Sequence, residues 1–232
     1  RITRRALAEV KKHIAPGVST KQLDKIAHDY ILSQGAIPSF LGYGGFPGTI
    51  CASVNHQVIH GIPNKNVILK EGDILSVDMG AIYEGFHGDA ARTYPVGEIS
   101  AEAKQLIAVT RQSFFEGIQF AKEGNRLSDI SHAIGEYCIS RGYGVVREFT
   151  GHGIGRNMHE DPAVPNYGPA GKGVRLRKNM TIAVEPMINL GTDAVTVLPD
   201  GWTVETKDHK LSAHYENTIL ITDGEPEILT VL

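Results

Sequence analysis

The feature that most limits how this chain can fold is a pattern of helix signals that recurs after 107 positions. A shift of that length superimposes Gly17 on Gly124 and Gly35 on Gly142, and the runs beside these glycines are apolar at helical spacing. Glycine commonly ends a helix because it adopts a positive φ without strain. We interpret the recurrence as an internal duplication, to which chance agreement between two pairs of amphipathic helices is the alternative.

The recurring runs predict two pairs of helices. The first run is closed by Gly17, the second extends from Ser19 or Thr20 to Gly35, the third from Ser100 to Gly124, and the fourth from Ser128 to Gly142. Ser and Thr favour helix N-termini because their side-chain oxygens accept hydrogen bonds from unpaired backbone N–H groups.

Strand signals follow each helix pair. A hairpin is predicted from a strand over 74–83, a turn at Glu84 and Gly85, and a return strand to Tyr94. Further strand-like runs cover 180–188, 194–198 and 212–222, and the last of them alternates between two faces.

These signals predict one α+β domain over 1–232, with helices packed on antiparallel sheet and with halves of about 1–98 and 99–232. A duplicated chain is expected to place its functional site where the halves meet.

Composition excludes several classes of protein. Lys and Arg number 23 against 26 Asp and Glu, and the net charge of -3 offers no basic surface for nucleic acid or an anionic membrane. The charged N-terminus contains no apolar run of signal or membrane-spanning length. The two cysteines, Cys51 and Cys138, form neither a disulfide framework nor a CxxC motif, which favours a reducing, cytoplasmic compartment.

Two aspartates are expected to share one face of the first hairpin. A two-residue turn at Glu84 and Gly85 places Gly80 opposite Asp89, and Asp78 lies on the same face because strand side chains alternate. The two carboxylates are then one diagonal step apart, close enough to hold a common cation. The alternative is that both are solvated on an open sheet face.

Three further side chains complete a possible metal site. The 107-residue shift places Asp78 on Glu185, which stands before a proline in an otherwise apolar run, and a lone buried glutamate is costly. Glu216 lies in a strand run, where an exposed position is the alternative. With His152, the four acids form an oxygen-rich set suited to two hard or borderline divalent cations with bridging carboxylates.

The glycine-rich segment around His152 has two possible interpretations. A shift of 109 places 42–44, which is Gly-Tyr-Gly, on 151–153, which is Gly-His-Gly. A phosphate-binding loop is the alternative, but such a loop needs a following helix, and Pro162 comes too early for one. His60 and His159, judged singly, are ordinary structural or surface histidines.

With these residues placed, the chain resembles the type I methionine aminopeptidases, a class of the pita-bread metallopeptidases. Five segments carry the resemblance in order along nearly the whole chain: Ser53-Val54-Asn55 with His60-Gly61-Ile62-Pro63; Val77-Asp78 with Gly85-Phe86-His87-Gly88-Asp89; Gly151-His152-Gly153-Ile154-Gly155 with His159-Glu160; Val184-Glu185-Pro186-Met187; and Tyr215-Glu216-Asn217-Thr218. The resemblance implies a pita-bread fold, in which two pseudo-twofold-related halves form a curved antiparallel sheet covered by helices.

The resemblance also implies a mechanism. The ligands of two metal ions would be Asp78, Asp89, His152, Glu185 and Glu216, with Asp89 and Glu216 bridging both ions. A metal-bridging water or hydroxide would attack the first peptide bond, and Glu185 would help to deprotonate it. His60 and His159 would hydrogen-bond the scissile amide and the developing oxyanion. This ligand set accepts Mn, Fe(II), Co(II) and Zn alike.

The family's side-chain pocket falls on apolar and polarizable residues suited to a thioether. These are Phe40, Tyr43, Phe46, Cys51, Met158 and Trp202. The resemblance further implies that the substrates are nascent proteins with an N-terminal methionine and a small second residue, met near the ribosome. The enzyme is expected to be a cytoplasmic monomer, and because the chain begins inside the first helical run, a short preceding segment is expected.

Three alternatives belong to neighbouring classes. The short spacings from His159 to Glu185 and from Glu185 to Glu216 argue against the type II class, which carries an extra helical subdomain, and favour a bacterial or organellar short form. A prolidase or Xaa-Pro aminopeptidase shares the five ligands but carries a separate N-terminal domain. A binding protein that has lost catalysis is expected to have lost ligands, whereas this chain retains all of them.

Overall fold

The computed structural model describes residues 1–231. Within that range the four helices expected from the glycine-punctuated runs are present, and they extend over Ile2–Lys11 (α1), Thr20–Ser33 (α2), Ala101–Ile118 (α3) and Leu127–Ile139 (α4). No helix in this range is both long and apolar enough to span a bilayer.

Local hydrogen bonds explain where the helices begin. The Ser19 side chain accepts from the backbone N–H of Gln22, whose side chain accepts in return from the Ser19 N–H, so α2 starts with a capping box. Ser100 caps α3 through the N–H of Ala103 at 3.0 Å. The prediction that Ser128 opens α4 is wrong, because α4 already starts at Leu127.

Gly17 and Gly124 both lie beyond the ends of the helices that they were predicted to close. α1 ends at Lys11 and α3 at Ile118, because the Gly17 N–H donates to the carbonyl of Leu69 and not to its own helix. The Gly124 N–H likewise donates outside its helix.

Fifteen strands lie within the described residues. They are Ile37–Pro38 (β1), Cys51–Val54 (β2), Gln57–Ile59 (β3), Ile74–Tyr83 (β4), Phe86–Pro95 (β5), Gly144–Val145 (β6), Gly151–Gly153 (β7), Glu160–Val164 (β8), Thr181–Val184 (β9), Met187–Asn189 (β10), Val195–Val197 (β11), Val204–Thr206 (β12), Ser212–His214 (β13), Asn217–Leu220 (β14) and Glu227–Ile228 (β15). Every pairing between these named strands is antiparallel, which confirms the expected α+β class.

The first hairpin has the predicted register. Tyr83 pairs with Phe86 across the two-residue turn, and Gly80 pairs with Asp89. Because Asp78 lies two residues before Gly80, both aspartates project from the same face. The opposite face carries Val77 and Met79, which are fully buried under α1 and α2.

The runs predicted over 180–188 and 212–222 pair with each other, and we call this pair the second hairpin; it differs from the prediction because each run is interrupted. β9 and β14 pair with Val184 opposite Asn217, while β10 and β13 pair with Met187 opposite His214 in a separate sheet. The register is the same on both sides of the gap, so Glu185 lies opposite Glu216. Pro186 has no N–H to complete the ladder there. The expected two-faced alternation of 212–222 is also wrong, because 212–219 are buried on both faces.

Contacts that hold the helix pairs recur at the interval found in the sequence. The Gly17 N–H donates to Leu69 and the Gly124 N–H to Leu176, at 2.8 and 2.9 Å. We therefore propose the two halves as copies of one unit. The 109-residue correspondence is wrong in structural terms, because 42–44 form part of a turn while 151–153 form β7.

Helices cover the outer faces of the sheets and leave the inner faces free for the site. α1 and α2 pack with Val77 and Met79 in one apolar cluster, and α3 and α4 contribute to a second cluster with Ile182 and Val184. In each half, an apolar cluster therefore packs against the face of the sheet opposite the acids.

Candidate metal centre

A cavity of about 150 Å³ opens where the inner faces of the two hairpins meet. Its lining comprises the same thirteen side chains that the sequence singled out: Phe40, Tyr43, Phe46, Cys51, His60, Asp78, Asp89, His152, Met158, His159, Glu185, Trp202 and Glu216. A volume of this size holds a ligand of about the bulk of benzene, so it accommodates one side chain. Both halves contribute, as expected for a site between duplicated units.

The acids at the floor of the cavity lack protein partners. Asp89 and Glu216 are 3% and 1% exposed, and the Oδ1 atom of Asp89 and the Oε1 atom of Glu216 accept no hydrogen bond from the described residues. The Oδ1 atom of Asp78 is in the same state. Buried carboxylate oxygens are costly without partners, so these atoms fit a site for cations.

The backbone fixes the two innermost acids across the junction of the halves. The Thr218 hydroxyl accepts from the Asp89 N–H at 3.0 Å and donates to the Asp89 carbonyl at 2.9 Å. The Glu216 N–H donates to the carbonyl of Ala91 at 2.9 Å. The Arg92 guanidinium donates to the Glu216 carbonyl and lies over the ring of Tyr215. Residues of β5 and of the segment at the start of β14 therefore hold Asp89 beside Glu216.

His152 faces these acids from β7. Its Nδ1–H donates to the Gly153 carbonyl at 2.8 Å, which leaves Nε2 with a free lone pair aimed at the cavity. That Nε2 atom lies 3.8 Å from Oδ2 of Asp89 and 3.5 Å from Oε1 of Glu185. Burial lowers the pKa of His152 to about 4, so the ring is neutral and able to bind a metal.

Close backbone packing explains the glycines beside His152. A Cβ at residue 153 would lie 2.2 Å from the Asp161 carbonyl oxygen, and one at residue 151 would lie 2.3 Å from the Ala183 carbonyl oxygen. β7 is sandwiched between β8 and β9, and no helix follows it. The phosphate-loop alternative therefore does not describe this segment.

Burial and mutual repulsion oppose ionisation of the four acids. Burial raises the pKa of Asp78 from 3.8 to about 7. Burial, followed by the charges of neighbouring carboxylates, raises the pKa of Asp89, Glu185 and Glu216 well above the usual range. Divalent cations would remove this penalty, and ligand atoms of Asp89, His152 and Glu216 lie within 4.8 Å of one another. The residues therefore fit a metal centre with carboxylate and imidazole ligands.

The two other histidines of the lining stand beside the acids. The Tyr43 hydroxyl lies 2.8 Å from Nδ1 of His159, and the rings of His152 and His159 have centroids 4.2 Å apart. His60 lies edge-on to Phe149 and Trp202. Burial, with a smaller contribution from His159, lowers the pKa of His60 to about 4, and burial lowers the pKa of His159.

An apolar subsite adjoins the acids. Phe40, Phe46, Cys51 and Met158 form one buried cluster, and Trp202 packs on it edge-on to Phe46, with 5.2 Å between ring centroids and 72° between ring planes. Cys51 lies opposite Asp78 across β2 and β4. Burial, then the charge of Asp78, raises the pKa of the Cys51 thiol well above its usual range. The thiol therefore lines the subsite in its uncharged form.

Sequence reasoning missed two neighbours of the site. Ile62 packs on the apolar cluster, and its place in the segment His60-Gly61-Ile62-Pro63, which carries the family resemblance, is the signal that could have found it. Nε2 of His214 lies 3.8 Å from Oε2 of Glu185, and neither ring nitrogen of His214 has a partner among the described residues. The alternation with Glu216 along the strand run indicates the same face.

Comparisons with known proteins agree with this geometry. The profile of metallopeptidase family M24 matches residues 1–223. A methionine aminopeptidase from Clostridium acetobutylicum is 56% identical over 231 residues, which make up 100% of this chain and 92% of that protein. The crystal structure of methionine aminopeptidase from Rickettsia prowazekii matches with a TM-score of 0.98 at 43% identity, over 100% of this chain and 93% of that one.

A prolidase shares the fold at a greater distance. The prolidase from Pyrococcus furiosus matches with a TM-score of 0.80 at 22% identity, and this chain covers 61% of it. At that level of identity the likeness concerns the fold alone.

Proposed function

The chain belongs to metallopeptidase family M24, and from that premise we propose how its cavity works as an active site. The chain is a metal-dependent aminopeptidase of the methionine aminopeptidase kind, and the match at a TM-score of 0.98 confirms the expected pita-bread fold. The observation that carries the function is the direct contact, within one cavity, between a cluster of unpartnered acids and an apolar subsite for one side chain.

Five side chains would hold two divalent cations. Asp89 and Glu216 would be the ligands shared by both cations, a role supported by their being the most buried acids and standing together at the junction of the halves. The remaining ligands would be Asp78, His152 and Glu185. When bound, the cations supply Lewis acidity, which acidifies water and polarises the scissile carbonyl.

Glu185 is the side chain best placed to take a proton from the attacking water. Its carboxylate is 12% exposed towards the cavity, and its two oxygens face Nε2 of His152 at 3.5 Å and Nε2 of His214 at 3.8 Å. Neither contact is a hydrogen bond to the carboxylate, because Nε2 of His152 is unprotonated and Nε2 of His214 has no partner, so Glu185 keeps lone pairs that could accept a proton.

His60 and His159 would hydrogen-bond the peptide. Both rings are neutral near pH 7 because burial lowers the pKa of each, so each ring has one N–H to donate. If the Tyr43 hydroxyl donates to Nδ1 of His159, then Nε2 of His159 carries the proton and is free to donate to the substrate carbonyl as negative charge develops there.

The apolar subsite would select methionine. Phe40, Phe46, Cys51 and Met158 offer soft apolar contacts, and the edge of Trp202 offers a favourable partner for a thioether sulfur. A charged side chain would be desolvated there without a partner. The preference for a small second residue follows the family resemblance, and Tyr43 and His159 would be the residues that limit its size.

We extend the proposal to the cellular setting. The substrates would be nascent polypeptides near the ribosome, and the enzyme would act as a cytoplasmic monomer. Two free cysteines, both buried, support a reducing compartment.

The experiment compares three peptides: Met-Ala-Ser, its N-acetylated form and an Ala-Pro peptide. Chelated enzyme is reconstituted in turn with Mn, Fe(II), Co(II) and Zn. We expect release of Met from free Met-Ala-Ser only, because the acetylated peptide offers no free amine. Cleavage of the Ala-Pro peptide would indicate a prolidase, and no cleavage with any of the metals would indicate an inactive binding protein.

A further inference from the structure

A second cluster of metal-binding side chains lies outside the cavity, on the sheet formed by β11, β12 and β3. His56, Glu205 and His209 each offer one ligand atom, and these atoms all lie within 4.8 Å of one another. Nε2 of His56 is 3.3 Å from Oε2 of Glu205, and Nδ1 of His209 is 4.0 Å from Oε1 of the same carboxylate. Each oxygen of Glu205 therefore faces a different imidazole.

The backbone holds the three residues in this arrangement. β12 pairs with β3 through a bulge between Val204 and Glu205, which places Glu205 opposite Gln57. His56 is in the turn that precedes β3, and its carbonyl accepts from the Thr206 N–H at 3.0 Å. The Thr206 carbonyl accepts in turn from the His209 N–H at 3.1 Å, so His209 is brought back over the strand.

The turn that carries His209 is itself fixed. His209 has a φ of 54°. The Asp208 carboxylate accepts from the N–H groups of Thr192 and Lys210, at 2.9 and 3.1 Å. The cluster is thus built on anchored backbone from two separate parts of the chain, and its side chains have only to rotate to meet a ligand.

We propose that His56, Glu205 and His209 form a zinc-binding site that is distinct from the metal centre of the cavity. Two imidazoles and one carboxylate are typical three-residue zinc ligands, with water in the fourth position. Bond lengths of about 2.0–2.1 Å in a tetrahedral site separate ligand atoms by roughly 3.3 Å. The His56–Glu205 distance already has that value, and because all three ligand atoms lie within 4.8 Å of one another, His209 has to approach by at most about 1.5 Å.

The ligand types and the exposure of the three side chains favour zinc over magnesium or calcium, which prefer sites made only of oxygen ligands. The Glu205 side chain is 15% exposed, whereas that of His209 is 65% exposed and free to move towards the ion. The rings of His56 and His209 stand nearly perpendicular, 5.2 Å between centroids, so they do not block the space between them. Imidazole nitrogen suits zinc, while magnesium and calcium prefer oxygen ligands.

Bound zinc would join the turn before β3 to the turn after β12. Both strands lead back towards the cavity, because β3 runs into His60 and β12 follows Trp202. None of the three ligands lines the cavity. The site would therefore add stability to this sheet and one zinc ion to the metal content, without supplying a group to catalysis.

The test counts zinc bound to the full chain by equilibrium dialysis against buffered zinc, followed by elemental analysis. His209→Ala removes one ligand, and His13→Ala is the matched control, because His13 faces Glu9 at 3.4 Å in a pair without a second histidine. We expect the wild type and His13→Ala to hold one more zinc ion per chain than His209→Ala. Equal zinc content in all three proteins at every zinc concentration would overturn the proposal.

A second measurement identifies the ligands. Addition of zinc should shift the ring C–H resonances of His56 and His209 together, and Glu205→Gln should raise the zinc concentration needed by roughly tenfold or more. Peptidase activity is recorded in parallel, and we expect it to be unchanged in His209→Ala. If zinc moves only one of the two histidine signals, or moves both equally in Glu205→Gln, the three residues do not form one site.

Discussion

The two hairpins that carry the acids each keep a single antiparallel register, but only the first has a continuous hydrogen-bonded ladder. In the first, β4 and β5 pair without interruption from Ile74–Pro95 to Tyr83–Phe86, and both aspartates lie inside the ladder. In the second, the ladder is open at Glu185 and Glu216, although the pairing on either side keeps one register. The first hairpin therefore fixes its acids through backbone on both sides, and the second holds its acids at strand ends.

The difference follows from the positions of the acids. Asp78 pairs with Ala91 and Asp89 with Gly80, so the two aspartates are diagonal neighbours. Glu185 and Glu216 are directly opposite, where like charges destabilise a ladder, and Pro186 removes a donor at the same point. We infer that the second hairpin depends more strongly on bound cations than the first, and that its open ladder gives Glu185 the freedom to exchange a proton.

The largest expected effect is a loss of turnover in a Glu185 variant, and it distinguishes proton transfer by Glu185 from metal binding. Glu185→Gln should lower turnover by about 10²–10⁴-fold, because a general base contributes that much. Asp78→Asn, its counterpart in the continuous hairpin, should lose activity only in proportion to the metal that it loses. Steady-state rates are normalised to bound metal measured by elemental analysis. Equal normalised rates in the two variants would show that Glu185 has no special role in moving the proton.

The next effect concerns one histidine from each half. His60→Ala and His159→Ala should each lower kcat by about 10²–10³-fold, the usual cost of removing a donor to a developing oxyanion. Both variants should still bind two ions, because neither residue is proposed as a ligand. Tyr43→Phe, which removes only the hydroxyl 2.8 Å from Nδ1 of His159, should cost a few-fold. A large loss of metal from His159→Ala would make this residue a ligand instead.

The sequence predicted the first hairpin well because its register depends on a short turn and on strict alternation. The turn at Glu84 and Gly85 needs residues that accept positive φ, and both have it, at 52° and 80°. From that turn the positions of Asp78 and Asp89 follow by counting. The thirteen residues of the cavity were found through the family resemblance together with this counting.

The sequence did not predict the gap in the second hairpin, because an apolar run around Glu185 has the same pattern whether or not its ladder is complete. At this gap Pro186 lacks the N–H that the ladder would use, and the Glu216 N–H donates to the carbonyl of Ala91 in the first half. His214 was missed as a neighbour of Glu185 for a similar reason. Its ring meets Glu185 only when β10 and β13 pair, which is a contact over long sequence distance.

A smaller effect is expected in the stability of the metal-free protein. Burial raises the pKa of the four acids, so the folded state binds more protons than the unfolded state, and stability rises as pH falls from 8 towards 6.5. Below 6.5 the rise becomes shallower, because burial lowers the pKa of His60, His152 and His214 and the unfolded chain then binds up to three protons that offset part of the four held by the acids. One kcal/mol corresponds to about 2–4 °C in Tm for a chain of this size.

Calorimetry of chelated enzyme between pH 8 and pH 6 checks this expectation, with metal-loaded enzyme as the control. The Tm of the chelated protein should rise by a few degrees between pH 8 and pH 6.5 and less steeply from pH 6.5 to pH 6, and that of the loaded protein should not. Glu185→Gln and Asp78→Asn should each flatten the rise, and Asp78→Asn also removes the repulsion that raises the pKa of Asp89, Glu185 and Glu216. A rise of the same size in loaded enzyme would mean that the acids are not metal ligands.

The smallest expected effect comes from closing the open ladder. The backbone N–H of Tyr215 donates to the Pro186 carbonyl at 3.2 Å. An N–H at residue 186 would therefore face the Tyr215 carbonyl and complete the hydrogen-bonded pair. In Pro186→Ala the added hydrogen bond, worth about 0.5–1.5 kcal/mol, offsets the lost rigidity of proline, worth about 0.4–1 kcal/mol. Stability should therefore change by less than about 1 kcal/mol.

Turnover of Pro186→Ala should nevertheless fall a few-fold, because a completed ladder restrains Glu185 and Glu216 at strand-like positions. The control is Pro95→Ala, at the end of the continuous hairpin opposite Ile74, which should leave turnover unchanged. Hydrogen exchange reports the new amide at residue 186 directly. If that amide exchanges as fast as an exposed loop while turnover still falls, the gap is held open by the acids themselves and not by the missing donor, and the contrast between the hairpins originates in charge alone.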